Sequence, residues 1–77
     1  MDIKIKIGNR IKALRAIKGL SQSDLAIYAS LDRSYIASVE SGQRNVSIVN
    51  IEKIATALGV SVKDFFNDGS FDVMKEL

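Results

Sequence analysis

The sequence predicts an all-α fold, a compact bundle of five short helices in a single domain of 77 residues, with a weak sixth helix at the carboxyl end. Apolar residues recur every three or four positions through most of the chain, which is the spacing of one face of a helix. Glycines and serines that can end or cap helices interrupt this spacing at short intervals, so each helix is brief. Only the first seven residues alternate as in a strand, and no other segment offers a partner strand.

The first helix is expected to run from about Lys6 to Lys18, with residues 1–7 as a lead-in and Gly19 as its stop. Its apolar stripe consists of Ile7, Ile11, Leu14 and Ile17. The four lysines in this part of the chain are more simply explained as a solvated helix face than as contacts to a ligand.

Two helix signatures follow, separated by a break of only three residues. Ser21 and Asp24 have the spacing of a capping box, which predicts a helix over residues 22–29. Asp32 repeats the start signal for a helix over residues 33–41. Because so short a connection leaves no room for a long loop, the two helices must cross steeply, as they do in a helix-turn-helix.

The fourth and fifth helices occupy the second half of the chain. Ser47 can cap the fourth helix, and Gly59 stops it. Its core stripe is expected to be Ile48, Ile51, Ile54, Ala55 and Leu58. Ser61 then starts a short fifth helix that ends at Asn67. Residues 70–77 have apolar positions three apart, which predicts a sixth helix that needs a partner surface to be stable.

Composition narrows the classes of function. The chain has no Cys and no His, so neither a disulfide framework nor a metal site is expected, and its nine Asp and Glu residues are too scattered for a catalytic cluster. We therefore expect no enzyme, no cofactor and no small-molecule ligand. No apolar run approaches the ~18 residues needed to span a bilayer, and the amino end lacks the apolar core of a signal peptide. No membrane partner and a cytoplasmic location are expected.

Charge is distributed unevenly along the chain, although the net charge is only +2. Residues 1–44 hold eight Lys or Arg against four Asp or Glu, whereas residues 45–77 hold three against five. The basic half also contains the two closely spaced helices. A polyanion is therefore expected to approach that half of the molecule.

The segments RIKALRAIKGLSQSDLA and IEKIATALGVSVKDFF resemble the lambda-repressor-like (Cro or XRE) helix-turn-helix family, and the resemblance covers roughly Ile7 to Phe66. The string LDRSYIASVESGQRN is most similar to the small controller proteins of restriction–modification systems. The resemblance implies a sequence-specific transcription regulator whose third helix enters the major groove of DNA. Ser30 departs from the family, which often has Gly there, and must adopt the turn at some steric cost.

Residues on the outer face of the third helix are the candidates for reading bases: Arg33, Ser34, Ala37 and Ser38. Arg33 lies in the first turn, where its guanidinium can pair with the O6 and N7 atoms of guanine. Ser34 and Ser38 can approach base edges or phosphates, and Ala37 can touch a thymine methyl group. Two simpler alternatives for Arg33 are an ion pair with Asp32 and an ordinary surface position.

The residues expected to contact DNA phosphates are Gln22, Ser23, Tyr35, Arg44 and Asn45. Gln22 and Ser23 begin the second helix, where free backbone N–H groups favour an anion. The resemblance implies that Arg44 and Asn45 clamp the DNA backbone from the loop after the third helix. Tyr35 either stacks or donates to a phosphate, or it packs along the fourth helix.

The resemblance also implies a salt bridge between Arg15 and Glu40, which would hold the third helix against the first. One recognition helix contacts few base pairs, so proteins of this kind pair and read two half-sites about 34 Å apart. We expect the dimerisation region within about residues 60–77. Its interface residues are expected to be Val62, Phe66, Phe71 and Met74.

The expected partners are therefore double-stranded DNA with a palindromic operator and a second copy of the chain, with two dimers on adjacent sites as a further arrangement. A controller of a restriction–modification system that binds its own promoter is the leading interpretation. The alternatives are a phage-type repressor, an antitoxin, and a protein-interaction module that has lost DNA binding.

Overall fold

The computed structural model describes residues 2–72, and this part of the chain contains helices and no strand. The all-α prediction is confirmed. The elements are α1 (Ile3–Lys18), α2 (Gln22–Ala29), α3 (Arg33–Glu40), α4 (Ile48–Ala57), α5 (Val62–Phe65) and a 3₁₀ turn (Gly69–Phe71). The predicted sixth helix lies mostly outside the described residues. None of the helices within residues 2–72 is long and apolar enough to cross a membrane.

Helix α1 begins earlier than the sequence predicted. Asp2 takes the N-cap position, and its carboxylate accepts a hydrogen bond from the backbone N–H of Lys4 at 2.8 Å. The lead-in interpretation of residues 1–7 was therefore wrong, because a capped segment without a partner strand joins the helix. The bond from Lys4 also lowers the pKa of the Asp2 carboxyl group.

Two residues of the predicted apolar stripes are exposed. Ile17 is 75% exposed, because it falls roughly a quarter turn from the centre of the stripe that Ile7, Ile11 and Leu14 form. Ile48 is 65% exposed, because it is the first residue of α4 and the rest of the described chain leaves it uncovered. The predictions for Ile17 and Ile48 were wrong.

The core is one cluster of apolar side chains that every α-helix contributes to. The buried apolar residues are Ile7, Ile11, Leu14, Leu25, Ala26, Ala29, Ile36, Val39, Ile51, Ile54, Ala55, Leu58 and Phe65. Helix α3 packs against both α1 and α2, while α4 packs against α2 and α5. This arrangement holds α3 from the inner side and leaves its opposite face at the surface.

The connection between α2 and α3 is a tight turn through Ser30, which has φ 57° and ψ 44°. Leu31 N–H donates to the carbonyl of Ala26 at 2.9 Å, which closes the end of α2. Ser30 thus takes the left-handed conformation that the sequence predicted. Asp32 is the N-cap residue of α3, as the sequence predicted, but its side chain makes no capping hydrogen bond.

Arg10 fastens the end of α5 to α1. Its Nε donates to the carbonyl of Phe65 at 2.7 Å, and its Nη2 donates to the carbonyl of Asp64 at 2.9 Å. Its Nη1 lies 3.6 Å from the carboxylate of Asp68. Hydrogen bonds from Ser70, with the charge of Arg10, lower the pKa of Asp68. Helix α5 ends at Phe65, two residues before the predicted Asn67, and the N–H of Asn67 donates to the carbonyl of Asp64, three residues earlier, at 3.1 Å.

Candidate nucleic-acid interface

The outer face of α3 carries the four residues predicted to read bases. Arg33 and Ser34 are exposed, and Ala37 and Ser38 are half-buried. The inner face of the helix is anchored by Ile36 and Val39, which are buried in the core. These contacts leave the side chains of Arg33 and Ser34 at the surface.

The guanidinium of Arg33 has no partner within residues 2–72, since no hydrogen bond or ion pair of the described chain engages it. The alternative of an ion pair with Asp32 is therefore not formed. A cation with five N–H donors that is left free on an exposed helix face suits a planar acceptor such as the edge of guanine.

The last turn of α3 is held by a buried charge network. Arg15 donates to both carboxylate oxygens of Glu40, at 2.8 Å and 3.0 Å, and its third hydrogen bond goes to the carbonyl of Leu20 at 2.9 Å. The Glu40 side chain is only 2% exposed. The hydrogen bonds to Glu40 raise the pKa of Arg15. The salt bridge that the resemblance implied is present, and it joins α1 to α3.

Gln22 extends this network to the start of α2. Its Nε2 donates to Glu40 at 3.0 Å, and the residue is half-buried. The side-chain amide is therefore already bonded within the protein, whereas the prediction of a phosphate contact supposed that it was free. Ser23 is exposed beside it. Within the described residues, no hydrogen bond engages the backbone N–H groups of Gln22 and Ser23. These two N–H groups, at the positive end of the α2 dipole, remain available to an anion.

Tyr35 lies in a second polar cluster between α3 and α4. Its hydroxyl accepts a hydrogen bond from Nδ2 of Asn50 at 3.0 Å, so the ring packs along α4, as one of the two alternatives had it. The guanidinium of Arg44 lies over this ring, 5.1 Å from its centroid, within the range of a cation–π interaction. Nε of Arg44 also donates to the Ser38 hydroxyl at 3.0 Å.

The hydroxyl of Ser38 donates in turn to the carbonyl of Tyr35 at 2.8 Å. Ser38 therefore orients Arg44 in the free protein, a contact that the sequence did not predict. Arg44 and Asn45 are both exposed, and the bond to Ser38 places Arg44 beside the outer face of α3. The structure thus brings the predicted base-reading and phosphate-binding residues to one side of the molecule.

Two further residues shape this side and were missed from the sequence. Asn50 fixes the Tyr35 hydroxyl, and nothing in its sequence context marks it out. Gly8 lies inside α1, where a β-carbon would come within 2.5 Å of the Glu40 carbonyl oxygen and 2.6 Å of that of Val39. A glycine inside a helical pattern is a signal of close packing that could have been used.

Three of the residues predicted for the dimer interface, Val62, Phe66 and Phe71, lie in α5 and the segment that follows it. Phe66 contacts Phe65 and Phe71 edge to face, each pair with ring centroids 5.0 Å apart. Phe66, Phe71 and Val62 are half-buried, so part of their apolar surface is used within the protomer. Met74 lies outside the described residues.

Comparison with known proteins identifies the family. A family model described as helix-turn-helix matches residues 11–65. The control protein C.MunI from a Mycoplasma species is 50% identical over 68 residues, which are 87% of this chain and 92% of that protein. The crystal structure of the restriction–modification controller protein C.AhdI from Aeromonas hydrophila has 54% sequence identity, with a TM-score of 0.79 over 82% of this chain and 96% of that one. The chain belongs to the helix-turn-helix family of restriction–modification control proteins.

Another controller-protein structure includes DNA. C.Esp1396I, solved as a tetramer in complex with its natural 35-base-pair operator, is 39% identical to this chain and has a TM-score of 0.81 over 86% of this chain and 87% of that one. The helix-turn-helix family model matches residues 11–65 of this chain, a span that contains α2, α3 and the loop with Arg44 and Asn45. The first turn of α1 lies before that span.

Proposed function

We propose that this protein is the dimeric transcription regulator of a restriction–modification system, and that it binds operator DNA upstream of its own gene. Helix α3 enters the major groove, where Arg33 pairs with guanine and Ser34, Ala37 and Ser38 face the neighbouring base edges. The single observation that carries this proposal is the exposed guanidinium of Arg33, which has no partner within residues 2–72, on a helix whose other end is fixed by a buried salt bridge. The chain performs no catalysis and acts on DNA in the cytoplasm.

The phosphate contacts flank the inserted helix on both sides. The backbone N–H groups of Gln22 and Ser23 receive one phosphate at the start of α2. Arg44 and Asn45 receive another from the loop after α3. The Gln22 side chain joins this phosphate site to Glu40, so the contact and the position of α3 are linked. Tyr35 reaches the DNA backbone only after Arg44 leaves its ring.

A binding titration tests the regulator proposal. A labelled duplex from the region directly upstream of the gene is compared with a mixed-sequence duplex of equal length, by fluorescence anisotropy at several salt concentrations. We expect the upstream duplex to bind at least about a thousandfold more tightly. The log–log salt slope should steepen by about −0.9 for each phosphate contact. Equal affinities for the two duplexes, or binding that does not change with salt, would contradict the proposal.

We further propose that two copies pair through the α4–α5 side and read two half-sites about 34 Å apart. Val62, Phe66 and Phe71 contribute their remaining apolar surface. Ile48 and Val49, which are 65% and 60% exposed at the start of α4, add to this surface. Two such dimers on adjacent sites would match the tetramer of C.Esp1396I on its operator.

Sedimentation of two matched variants tests the dimer. Ile48→Glu places a charge on the proposed interface, whereas Ile17→Glu places the same charge on an isoleucine of α1 that is also largely exposed. We expect the Ile48 variant to sediment as a monomer and the Ile17 variant to remain dimeric, because a charge buried without a partner is costly. An unaltered protein that is monomeric at high micromolar concentration would remove the dimer proposal.

A further inference from the structure

The first turn of α1 lies against the turn that ends α3. A β-carbon added at Gly42 would be 2.7 Å from Cγ1 of Ile5, 3.2 Å from its Cα and 3.4 Å from its N. The backbone of α1 therefore touches the backbone of this turn, and the Ile5 side chain covers it. Gly42 also has φ +77°, so its position requires glycine for two independent reasons.

Gly42 begins the loop that carries the proposed phosphate clamp. Its N–H donates to the carbonyl of Val39 at 3.0 Å, and the N–H of Gln43 donates to the carbonyl of Ser38 at 3.1 Å. These two bonds form a Schellman motif, which fixes the backbone as far as Gln43. Arg44 is the next residue. A shift at Gly42 would therefore move the backbone from which Arg44 projects.

Ile5 is not needed for the core, because 40% of it is exposed and it stands outside the buried cluster. The turn that holds it is nevertheless well formed, since the Asp2 carboxylate caps it. Its near neighbour Ile3 is 53% exposed. Gly42 is the contact by which Ile5 reaches the DNA-binding side of the molecule.

We propose that the first turn of α1 is a positioning element for the clamp loop, defined as residues 42–45, and that it acts through the contact of Ile5 with Gly42. Ile5 touches no DNA. It restricts the backbone of the clamp loop, so that Arg44 and Asn45 meet a phosphate without first being ordered. This inference rests on the proposed function, because it needs the clamp loop to contact DNA.

A matched pair of glycine variants separates this contact from backbone strain. Gly42→Ala and Gly19→Ala both place alanine at positive φ, +77° and +68°, but a β-carbon at Gly19 meets nothing within 4 Å. Binding to a mixed-sequence duplex is measured across salt concentrations, at a temperature where both variants are folded by circular dichroism. We expect Gly42→Ala to bind about tenfold more weakly, with a salt slope smaller by about 0.9 for each phosphate that the clamp loop no longer binds. Gly19→Ala should bind as the unaltered protein does.

A double-mutant cycle shows whether Ile5 acts through the clamp loop. Ile5→Ala is measured alone and together with Arg44→Ala, with Ile3→Ala as the control on the same turn. We expect Ile5→Ala to weaken binding several-fold in the unaltered background and to have a much smaller effect once Arg44 is gone, when Asn45 alone still depends on the position of the clamp loop. Ile3→Ala should be neutral in both backgrounds.

Three results would overturn the positioning role of Ile5. Unchanged affinity and salt slope for both Gly42→Ala and Ile5→Ala would overturn the positioning role and leave the proposed function standing. An equal loss on Ile5→Ala with and without Arg44 would also overturn it, because the effect would then bypass the clamp loop. Failure of the unaltered protein to bind either duplex would overturn this inference together with the proposed function.

Discussion

In α3, the first turn and the last turn lie in different surroundings. Arg33 and Ser34 are exposed and contact no charged partner within the described chain. Two turns later, Glu40 is 3% exposed and accepts hydrogen bonds from Arg15 and Gln22. The buried end fixes where the helix stands, and the exposed end presents the side chains that DNA would meet.

This contrast separates folding from recognition within one eight-residue helix. A residue of the buried end contributes to stability, because its partners lose their hydrogen bonds when it is removed. A residue of the exposed end can change without disturbing the core. Substitutions at the two ends should therefore change different measurements.

The largest effect is expected for Glu40→Ala. Removing the carboxylate leaves Arg15 partly buried without its anion and Gln22 without its acceptor, at a cost of about 3–5 kcal/mol in the free energy of unfolding. The melting temperature should fall by about 12 °C or more. Glu52→Ala is the control, because Glu52 is an exposed glutamate of α4. Thermal melts in which both variants lose the same stability would contradict the role given to Glu40.

Gly8→Ala tests the contact between α1 and α3 by adding volume instead of removing a charge. The new β-carbon would lie 2.5 Å from a backbone oxygen of α3, so α1 and α3 must separate. Alanine favours a helix by about 1 kcal/mol over glycine, but we expect the clash to win and to lower stability by about 2 kcal/mol.

Gly69→Ala provides the control for Gly8→Ala, since a β-carbon there meets nothing within 4 Å. Urea denaturation should show almost no change for Gly69→Ala. A Gly8→Ala variant as stable as the unaltered protein would mean that the close contact between α1 and α3 does not constrain the helix.

Arg33→Ala should have the opposite profile to Glu40→Ala. Its stability should stay within about 0.5 kcal/mol of the unaltered protein, because the side chain is exposed and has no partner in the part of the chain that the structure describes. Its preference for the upstream duplex over a mixed-sequence duplex should fall by about 1–3 kcal/mol, which is tenfold or more. Lys63→Ala removes the same charge from an exposed position on α5 and should keep the preference. If Arg33→Ala lowered the melting temperature but kept the preference for the upstream duplex, Arg33 would contribute to stability and not to base recognition.

The smallest effect is expected in the turn between α2 and α3. Ser30 has φ 57°, which is costly for any residue except glycine. Ser30→Gly should raise the free energy of unfolding by about 0.5 kcal/mol, after the greater entropy of glycine in the unfolded chain is subtracted. Ser30→Ala keeps the strain and should give no gain. Equal denaturation midpoints for the two variants would show that the turn is unstrained.

Local signals in the sequence predicted the fold well. The capping box of Ser21 and Asp24 is present, with hydrogen bonds of 2.9 Å and 3.1 Å, and α2 has the predicted bounds. The errors at Ile17 and Ile48 arose because periodicity shows which face of a helix is apolar but not how far its neighbours cover it. That coverage depends on how the helices cross, which a single sequence does not encode locally.

The sequence predicted which residues form the candidate site, but it did not predict the hydrogen bonds between them. Arg33 is exposed as expected, whereas Gln22 and Arg44 are already hydrogen-bonded to Glu40 and Ser38. Those partners are 18 and six residues away along the chain. Only the folded arrangement of α2, α3 and the following loop brings them together.

Backbone amide NMR spectra during titration with the upstream duplex test the central claim most directly, which is that the exposed face of α3 enters the groove of DNA. We expect the largest shifts on residues 33–38, the start of α2 and the clamp loop, while α5 changes little. Shifts concentrated on α4 and α5, with residues 33–38 unaffected, would contradict it.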